Sequence, residues 1–579
     1  MSSDSGTDRR SFLKAAGGAA AAATVAGCLG GNGSGGNGSG GGNGNGNGSG
    51  GGSGGSGGTL IYARGDFPSN YDPQQSTSGE VAKVTDQVFS HLVMFVPGTG
   101  GKIKGGLAKK YELNGKTATL TLRKGVKFHN GEEFTAADFK ATYRRFVDES
   151  YPYYLGKKSV SGTPSGYAPV TFSNWVKSVN TKGKYDLEIQ LKQKYAPFLR
   201  NLGMFPSAVL SKKQIEKLGK NQNQLGKQPV GTGPFPFKKL DTGTQRVLLG
   251  KNDEYWGEGP YLDQVIFTAI GKNSTRAQSL ISGDSHVIDG ISAEASKQIQ
   301  SADSTTLLQK DGLNIGYMAM NMARFKPFRK KKVRQAISYA VNTKAIVNDI
   351  YQGFASQADQ PLPPTVLGYD DSINPYPTDK KKAKQLLKQA GETGFTFELA
   401  TFSNPRGYNP SPVQTAQQVK SDLQDIGITA NINQFSTFSS YLEYTYAGKH
   451  DACFLGWYSD NADPDNFDYV LLHPGVDKSK IPDGQDWVSF DTEGFNTNDS
   501  AAWANREFMD LVERGQATYD TAKRKSLYQK AGQVAHEEAP WVFVDYAKTL
   551  RGINEKVDKS TYKLTSINKP YLESVKLNQ

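Results

Sequence analysis

The chain is poor in the residues that build cross-linked or metal-dependent proteins. Its 579 residues include only two cysteines, Cys28 and Cys453. Two thiols make neither a disulfide framework nor a four-thiolate zinc site. The six histidines (His91, His129, His286, His450, His473 and His536) include no pair at helical metal-ligand spacing. Long hydrophobic runs are also missing. The one candidate, Ala15 to Gly30, falls short of the ~18 residues of a membrane span and is mostly Ala and Gly. A disulfide scaffold, a polytopic membrane protein and a His-rich metalloenzyme are therefore poor readings. What the chain holds in excess is positive charge: 68 Lys and Arg against 56 Asp and Glu, a net +12.

The first 58 residues read as an address and a tether. Asp8-Arg9-Arg10-Ser11-Phe12-Leu13-Lys14 precedes a short apolar stretch that ends in Val25-Ala26-Gly27-Cys28. Arg9 and Arg10 with the following Phe-Leu-Lys resemble a twin-arginine export signal. The last four residues resemble a lipobox, in which cleavage falls before Cys28 and its thiol carries the lipid. Residues 30–58 are exclusively Gly, Asn and Ser. Such a segment cannot offset its ordering entropy by burial, and its root-mean-square reach as a coil is roughly 30 Å. The expectation is a signal over 1–27, then a lipidated Cys28 and a linker to 58. Together they hold a body at the outer face of the cell membrane. Three Asn-Gly-Ser sequons and a formal Gly-x-Ser-x-Gly at 51–55 fall inside this repeat. The latter has no strand before it and no helix after it, so it is no nucleophile elbow.

From Thr59 onward strands and helices alternate. Thr59 to Arg64 reads as a strand, and Glu80 to Phe95 as a helix with Val81, Val84, Val88 and Leu92 on one face. Thr135 with Asp138 predicts a capping box, and Phe134 with Phe139 a hydrophobic staple. Leu187, Ile189 and Leu191 alternate as in a strand, and Thr378 is placed to cap a helix that Gly391 ends. The stretch from Thr396 to Trp457 predicts strand, helix, strand, helix and strand, hence a parallel sheet with covering helices. Ligands bind beyond the carboxyl ends of such strands. Arg406 and Asp460 stand in those positions.

Signals for catalysis are few. Asn114-Gly115-Lys116-Thr117 ends like a P-loop, but position 110 is Lys where the motif needs Gly, so a tight turn between strands is the better reading. The basic run Phe328 to Arg334 reads as the solvated start of a helix through Ile337 and Ala340 rather than a nucleic-acid surface. Asp463 and Asp465, either side of Pro464, read as turn residues, and Cys453 as a buried small hydrophobe. No nucleophile, base or metal cluster emerges, so an enzyme is not expected.

Three blocks carry a resemblance. Gly231-Thr232-Gly233-Pro234-Phe235 followed by Asn252-Asp253-Glu254-Tyr255-Trp256 and Pro260-Tyr261-Leu262-Asp263 is the first. Leu122 to Gly131 with Phe134-Thr135-Ala136 is the second, and Val333 to Ala340 the third. Taken in chain order, they resemble the family 5 extracellular solute-binding proteins, the dipeptide- and oligopeptide-binding lipoproteins of ABC importers. Gly456-Trp457-Tyr458-Ser459-Asp460-Asn461-Ala462-Asp463-Pro464-Asp465-Asn466-Phe467 is similar to a segment of the dipeptide binders whose first aspartate grips the ligand's α-ammonium. Arg406-Gly407-Tyr408-Asn409-Pro410 is similar to their Arg-Pro-Tyr-Asn-Pro, whose arginine takes the α-carboxylate. The resemblance thus implies Asp460 and Arg406 as ligand residues, with Trp457 and Tyr408 beside them. Ser459 and Ala462 stand where the family has glycines, and Gly407 where it has proline.

The resemblance further implies an α/β, two-lobed periplasmic-binding-protein-like fold (class II, cluster C) with an extra inserted domain. Carried onto this chain, 59–91 with 235–307 and 540–579 build one lobe, 92–234 the extra domain and 314–539 the second lobe. A short peptide in the interlobe cleft, a permease partner, no cofactor, no metal and a monomer are the implied functional features. Nickel, haem, a sugar or glutathione is the alternative ligand, since a fold does not fix what it binds.

Overall fold

The structure, a computed structural model, describes residues 57–567 and 569–578. Arg9, Arg10, Cys28 and nearly all of the Gly/Asn/Ser segment lie outside the described residues. Among the described residues no helix is long and apolar enough to cross a membrane.

A twelve-stranded mixed sheet runs through the body. In its first half Thr59–Arg64 pairs in parallel with Gln264–Ala269 on one side and Val287–Ile288 on the other. Arg246–Gly250 and Phe237–Asp241 extend that half antiparallel. The second half contains the expected strand–helix alternation. Thr396–Phe402 lies parallel to both Thr429–Phe435 and Ala452–Tyr458, and helices Pro412–Gln424 and Phe438–Tyr446 make the crossovers. Asn314–Met320, buried along its whole length, pairs with Ala452–Tyr458.

One strand belongs to both halves. Residues 541–547 of Trp541–Asn554 pair with Asn314–Met320 and Ala355–Gln357, and residues 548–554 pair with Thr305–Asp311. The chain also crosses between the halves at Gly312-Leu313, between Thr305–Asp311 and Asn314–Met320. Asn314 ties the two crossings together. Its Nδ2 donates to the Ala547 carbonyl at 2.6 Å, and the Ala547 N–H donates to its Oδ1 at 2.8 Å. A Cβ on Gly312 would lie 2.0 Å from Asn314 Nδ2, so a side chain there would displace this clamp.

A separate four-stranded antiparallel sheet, in the order Ala108–Asn114, Thr117–Leu122, Asp186–Leu191, Val176–Thr181, carries helix Ala136–Val147. The helix starts at the expected capping box, with the Thr135 N–H donating to Asp138 Oδ2 at 2.8 Å. Gly115 takes a positive φ in the turn between the first two strands, as the tight-turn reading requires.

Four local expectations need correction. The helix over 80–95 is Gly79–Val88, and Val93–Phe95 is a strand. The backbone beyond Phe89 is claimed elsewhere: Leu107 N–H donates to His91 O, and Gly106 and Ala108 N–H both donate to Leu92 O. Leu92 stays buried, so its place in the apolar period was satisfied by tertiary packing. The helix Lys380–Gln389 is capped by Asp379, one residue past Thr378, whose carboxylate accepts from Lys382 N–H at 2.8 Å. Helix Lys331–Ala340 is not solvated throughout its first turn. Arg334 is fully buried against Asp486 and Glu538, each at 3.1 Å. Asp463 and Asp465 are not exposed turn residues either: Asp463 pairs with buried Arg524 at 2.8 Å, and Asp465 accepts from Tyr195 and Gln516. Cys453 is buried as expected.

Candidate functional site

A cavity of ≈ 240 Å³ lies between the two halves of the large sheet, and Arg406, Tyr408, Trp457 and Asp460 all line it. Arg406 and Asp460 each sit a few residues past the carboxyl end of a strand, and those strands, Thr396–Phe402 and Ala452–Tyr458, are neighbours. Parallel neighbours lie about 4.8 Å apart, so the connectivity alone brings the two loops to one place. The Arg406 loop is closed by reciprocal backbone hydrogen bonds with Asn409 at 2.9 and 3.0 Å, and Tyr351 donates to the Asn409 side chain at 3.0 Å.

The Asp460 loop is organised by one side chain. Asn466 Oδ1 accepts from Trp457 Nε1 at 3.1 Å, Ser459 Oγ at 3.1 Å and the Asp460 N–H at 2.9 Å. Ala462 lies at φ +56°, in the left-handed region that glycine occupies without penalty. Ser459, the other replaced glycine, offsets this with its hydroxyl, which accepts from the Ala462 N–H at 2.8 Å. Gly407 is likewise tied to a neighbour. A Cβ there would fall 2.1 Å from the Tyr458 hydroxyl, and a Cβ on Gly456 would meet the Tyr408 ring at 2.3 Å. The aromatic residues therefore occupy the space that larger residues at 407 and 456 would need.

The electrostatics of the two charged residues differ. Burial pushes the Asp460 carboxyl up to about 7; the Tyr167 hydroxyl, which donates to it, works against that rise, and the Asp86 carboxylate adds to it. A carboxyl so placed gains from a cation beside it. Arg406 already has a partner, Asp66 at 2.8 Å from the first half of the sheet, and its guanidinium lies 3.8 Å from the Phe438 ring centroid. Burial is the largest influence and disfavours its charge, but Asp66, Tyr408 and Glu80 together outweigh it and the pKa moves up. Arg406 Nε is buried without a hydrogen-bond partner.

Sequence reasoning missed the opposite wall. Asp66, Glu80, Lys83, Asp86, Asp289 and Lys569 all line the cavity. Lys83 stands 2.5 Å from both Glu80 and Asp289, Tyr62 donates to Asp289 at 2.9 Å, and Lys569 pairs with Asp86 at 3.0 Å. Asp66 and Asp289 follow the carboxyl ends of Thr59–Arg64 and Val287–Ile288, so the rule that singled out Arg406 and Asp460 would have found them. Asp86 is inside a helix and Lys569 in an irregular segment, and neither carries a sequence signal. Among the described residues no group of three His, Cys, Asp or Glu side chains is arranged to hold a metal ion.

The chain is similar to known proteins in sequence and in fold. The dipeptide-binding protein of Escherichia coli K12 is 30% identical over 531 residues, covering 90% of this chain and 94% of that one. Heme-binding protein A of Haemophilus influenzae is 31% identical over 515 residues, covering 87% and 89%. Among solved structures, the ABC transporter-associated periplasmic binding protein DppA of Helicobacter pylori, in complex with the peptide STSA, superposes with a TM-score of 0.80. It is 32% identical, over 90% of this chain and 99% of its own. The model of the bacterial extracellular solute-binding proteins, family 5, middle region, matches residues 102–479. With its parallel-strand cleft and its two-part sheet, the chain belongs to the family 5 extracellular solute-binding proteins.

Proposed function

We propose that the cleft captures a short peptide by its two charged ends, the ammonium on Asp460 and the carboxylate on Arg406, and presents it to an ABC importer. The observation that carries this reading is the juxtaposition itself: a half-buried carboxylate and a guanidinium past the ends of adjacent strands, facing one cavity of ≈ 240 Å³. A dipeptide places its termini roughly 7 Å apart. Stripping water from both charges costs several kcal/mol per ion unless each meets a partner, and this site offers one of each sign. Trp457 and Tyr408 supply aromatic walls between them. Relatives named for dipeptides and a neighbour solved with STSA support the same ligand class.

Haem is the second reading, favoured by the Haemophilus relative at equal identity. Drug-sized ligands occupy roughly 300–1,000 Å³, so ≈ 240 Å³ suits two small residues far better than a macrocycle. Mass spectrometry of small molecules released from the purified protein by denaturation tests the two. Masses of short peptides support the proposal, and a haem mass or its absorbance band contradicts it.

Binding and release here involve no bond-making step, so the protein works as a carrier and not as an enzyme, as a monomer. The anchor is part of the proposal: export through Arg9-Arg10 and lipid on Cys28 hold the carrier at the outer membrane face. Cys28→Ala is expected to move the protein from the membrane fraction to the soluble fraction. Unchanged membrane association would contradict lipidation at that thiol.

A further inference from the structure

Residues 92–234 contain 24 Lys and Arg against nine Asp and Glu, a net +15, whereas the whole chain is +12. The positive charge of the protein is therefore concentrated in one part, and the rest is slightly negative. Strand register shows where some of it gathers. Thr117 pairs with Gln190, and Val176 pairs with Leu191, so the start of the second strand, the end of the third and the start of the fourth meet at one end of the four-stranded sheet. That end bears Lys116, Lys177, Lys192 and Lys194. All four are exposed, and none forms an ion pair among the described residues. Lys116 and Lys192 instead donate to backbone carbonyls, those of Lys192 and Ser173. Glu112 accepts from Asn114 and Asp520 caps the helix Thr521–Glu538, and neither forms an ion pair with any of the four lysines.

A second feature stands at the same end. Tyr519 is the one exposed large hydrophobic residue among the described residues, and its hydroxyl donates to the Gly115 carbonyl at 2.6 Å, in the turn that holds Lys116. Clustered ammoniums with no carboxylate paired to them repel one another. A flat anionic surface would repay them, and tyrosine is a favoured residue at the boundary between headgroups and water. We propose that this end of the small sheet, with Lys116, Lys177, Lys192, Lys194 and Tyr519, docks on the anionic lipid surface of the membrane. The contact would add an electrostatic attraction to the hydrophobic one of a lipid anchor and turn this end of the body toward the surface. It is independent of which ligand the cleft takes.

The test is sedimentation of the full chain carrying Cys28→Ala with vesicles of phosphatidylcholine, alone or with 30% phosphatidylglycerol. The expected result is at least tenfold tighter binding to the anionic vesicles at low salt, lost in about 0.5 M salt where the screening length falls to a few ångström. Lys116→Glu, Lys177→Glu, Lys192→Glu and Lys194→Glu combined should remove the preference. The same charge change at Lys381, Lys382, Lys384 and Lys388, on helix Lys380–Gln389, should largely keep it. Equal binding to both vesicle types, equal loss from the two quadruple variants, or binding to soluble polyanions but not vesicles would overturn the proposal. If the first variant misfolds by circular dichroism, the corresponding Lys→Gln set and Tyr519→Ser replace it, with the same expectation.

Discussion

If Asp460 holds the ligand's ammonium as proposed, it couples ligand capture to pH. Without a cation beside it, burial holds its carboxyl near 7, so at neutral pH it is about half protonated. A ligand ammonium favours the ionised form and draws the pKa down on binding. The sign follows: affinity weakens as pH falls through 7, by up to about tenfold per unit, until the lower pKa of the complex is reached, and it falls again above about pH 8, where the ligand's own α-ammonium deprotonates. Calorimetry from pH 8.5 to 5, in buffers of different ionisation enthalpy, should show proton release on binding near pH 7. Asp460→Asn should bind weakly and without that dependence; an unchanged pH profile in the variant would contradict the role. Residue by residue, the site was legible where chemistry follows strand ends, as with Arg406 and Asp460. It was not legible at Asp86 or Lys569, which reach the cavity only through tertiary packing. The departures at Ser459, Ala462 and Gly407 could be seen in the sequence, but their meaning could not. The Ser459 hydroxyl bond and the Tyr458 contact that explain them run across the loop or between loops.

At the scale of elements, the strand Trp541–Asn554 does the most to set the geometry of the cleft, because it passes through both halves of the sheet. Asn314 fixes the point of passage by satisfying both backbone groups of Ala547. Asn314→Ala would leave two buried polar groups unpaired, at about 1–3 kcal/mol each, so a loss of roughly 2–6 kcal/mol is expected. Urea unfolding measures it, as a lower midpoint; an unaltered midpoint would show that water replaces the clamp at no cost. The element pattern explains what the sequence could convey. The parallel strands and helices of 396–458 and the Thr135–Asp138 cap are local signals, and they emerge as read. The end of the helix at Val88 is set by Gly106, Leu107 and Ala108, distant in sequence, and no periodicity within 80–95 reveals it. The double crossing at Gly312-Leu313 and Ala547 is a fact of strand pairing and has no sequence signature.

For the whole molecule, a cleft walled by two halves that meet through two adjacent crossings suits hinge closure over a ligand. Arg406–Asp66 is one contact that spans the cleft, and Tyr167–Asp460 ties the second half to the chain segment ahead of it. Opening must break such contacts, and in the proposed reading a bound peptide would give partners to both Asp460 and Arg406. Small-angle scattering on protein stripped of ligand by unfolding and refolding should therefore show a larger radius of gyration than the peptide-saturated form. Equal radii would argue for a cleft that does not move.

Titration calorimetry with Ala-Ala, its N-acetyl form and its C-amide shows whether the cleft recognises a peptide by its terminal charges. The account predicts that the free dipeptide binds tightly, and that each blocked form loses one charged contact. Asp460→Ala and Arg406→Ala should each weaken the free dipeptide by about 2–5 kcal/mol, mostly through a buried charge left unpaired. N-acetylation should cost little further in the Asp460 variant, and C-amidation little further in the Arg406 variant. Free and blocked dipeptides binding alike, or both variants keeping full affinity, would contradict the account.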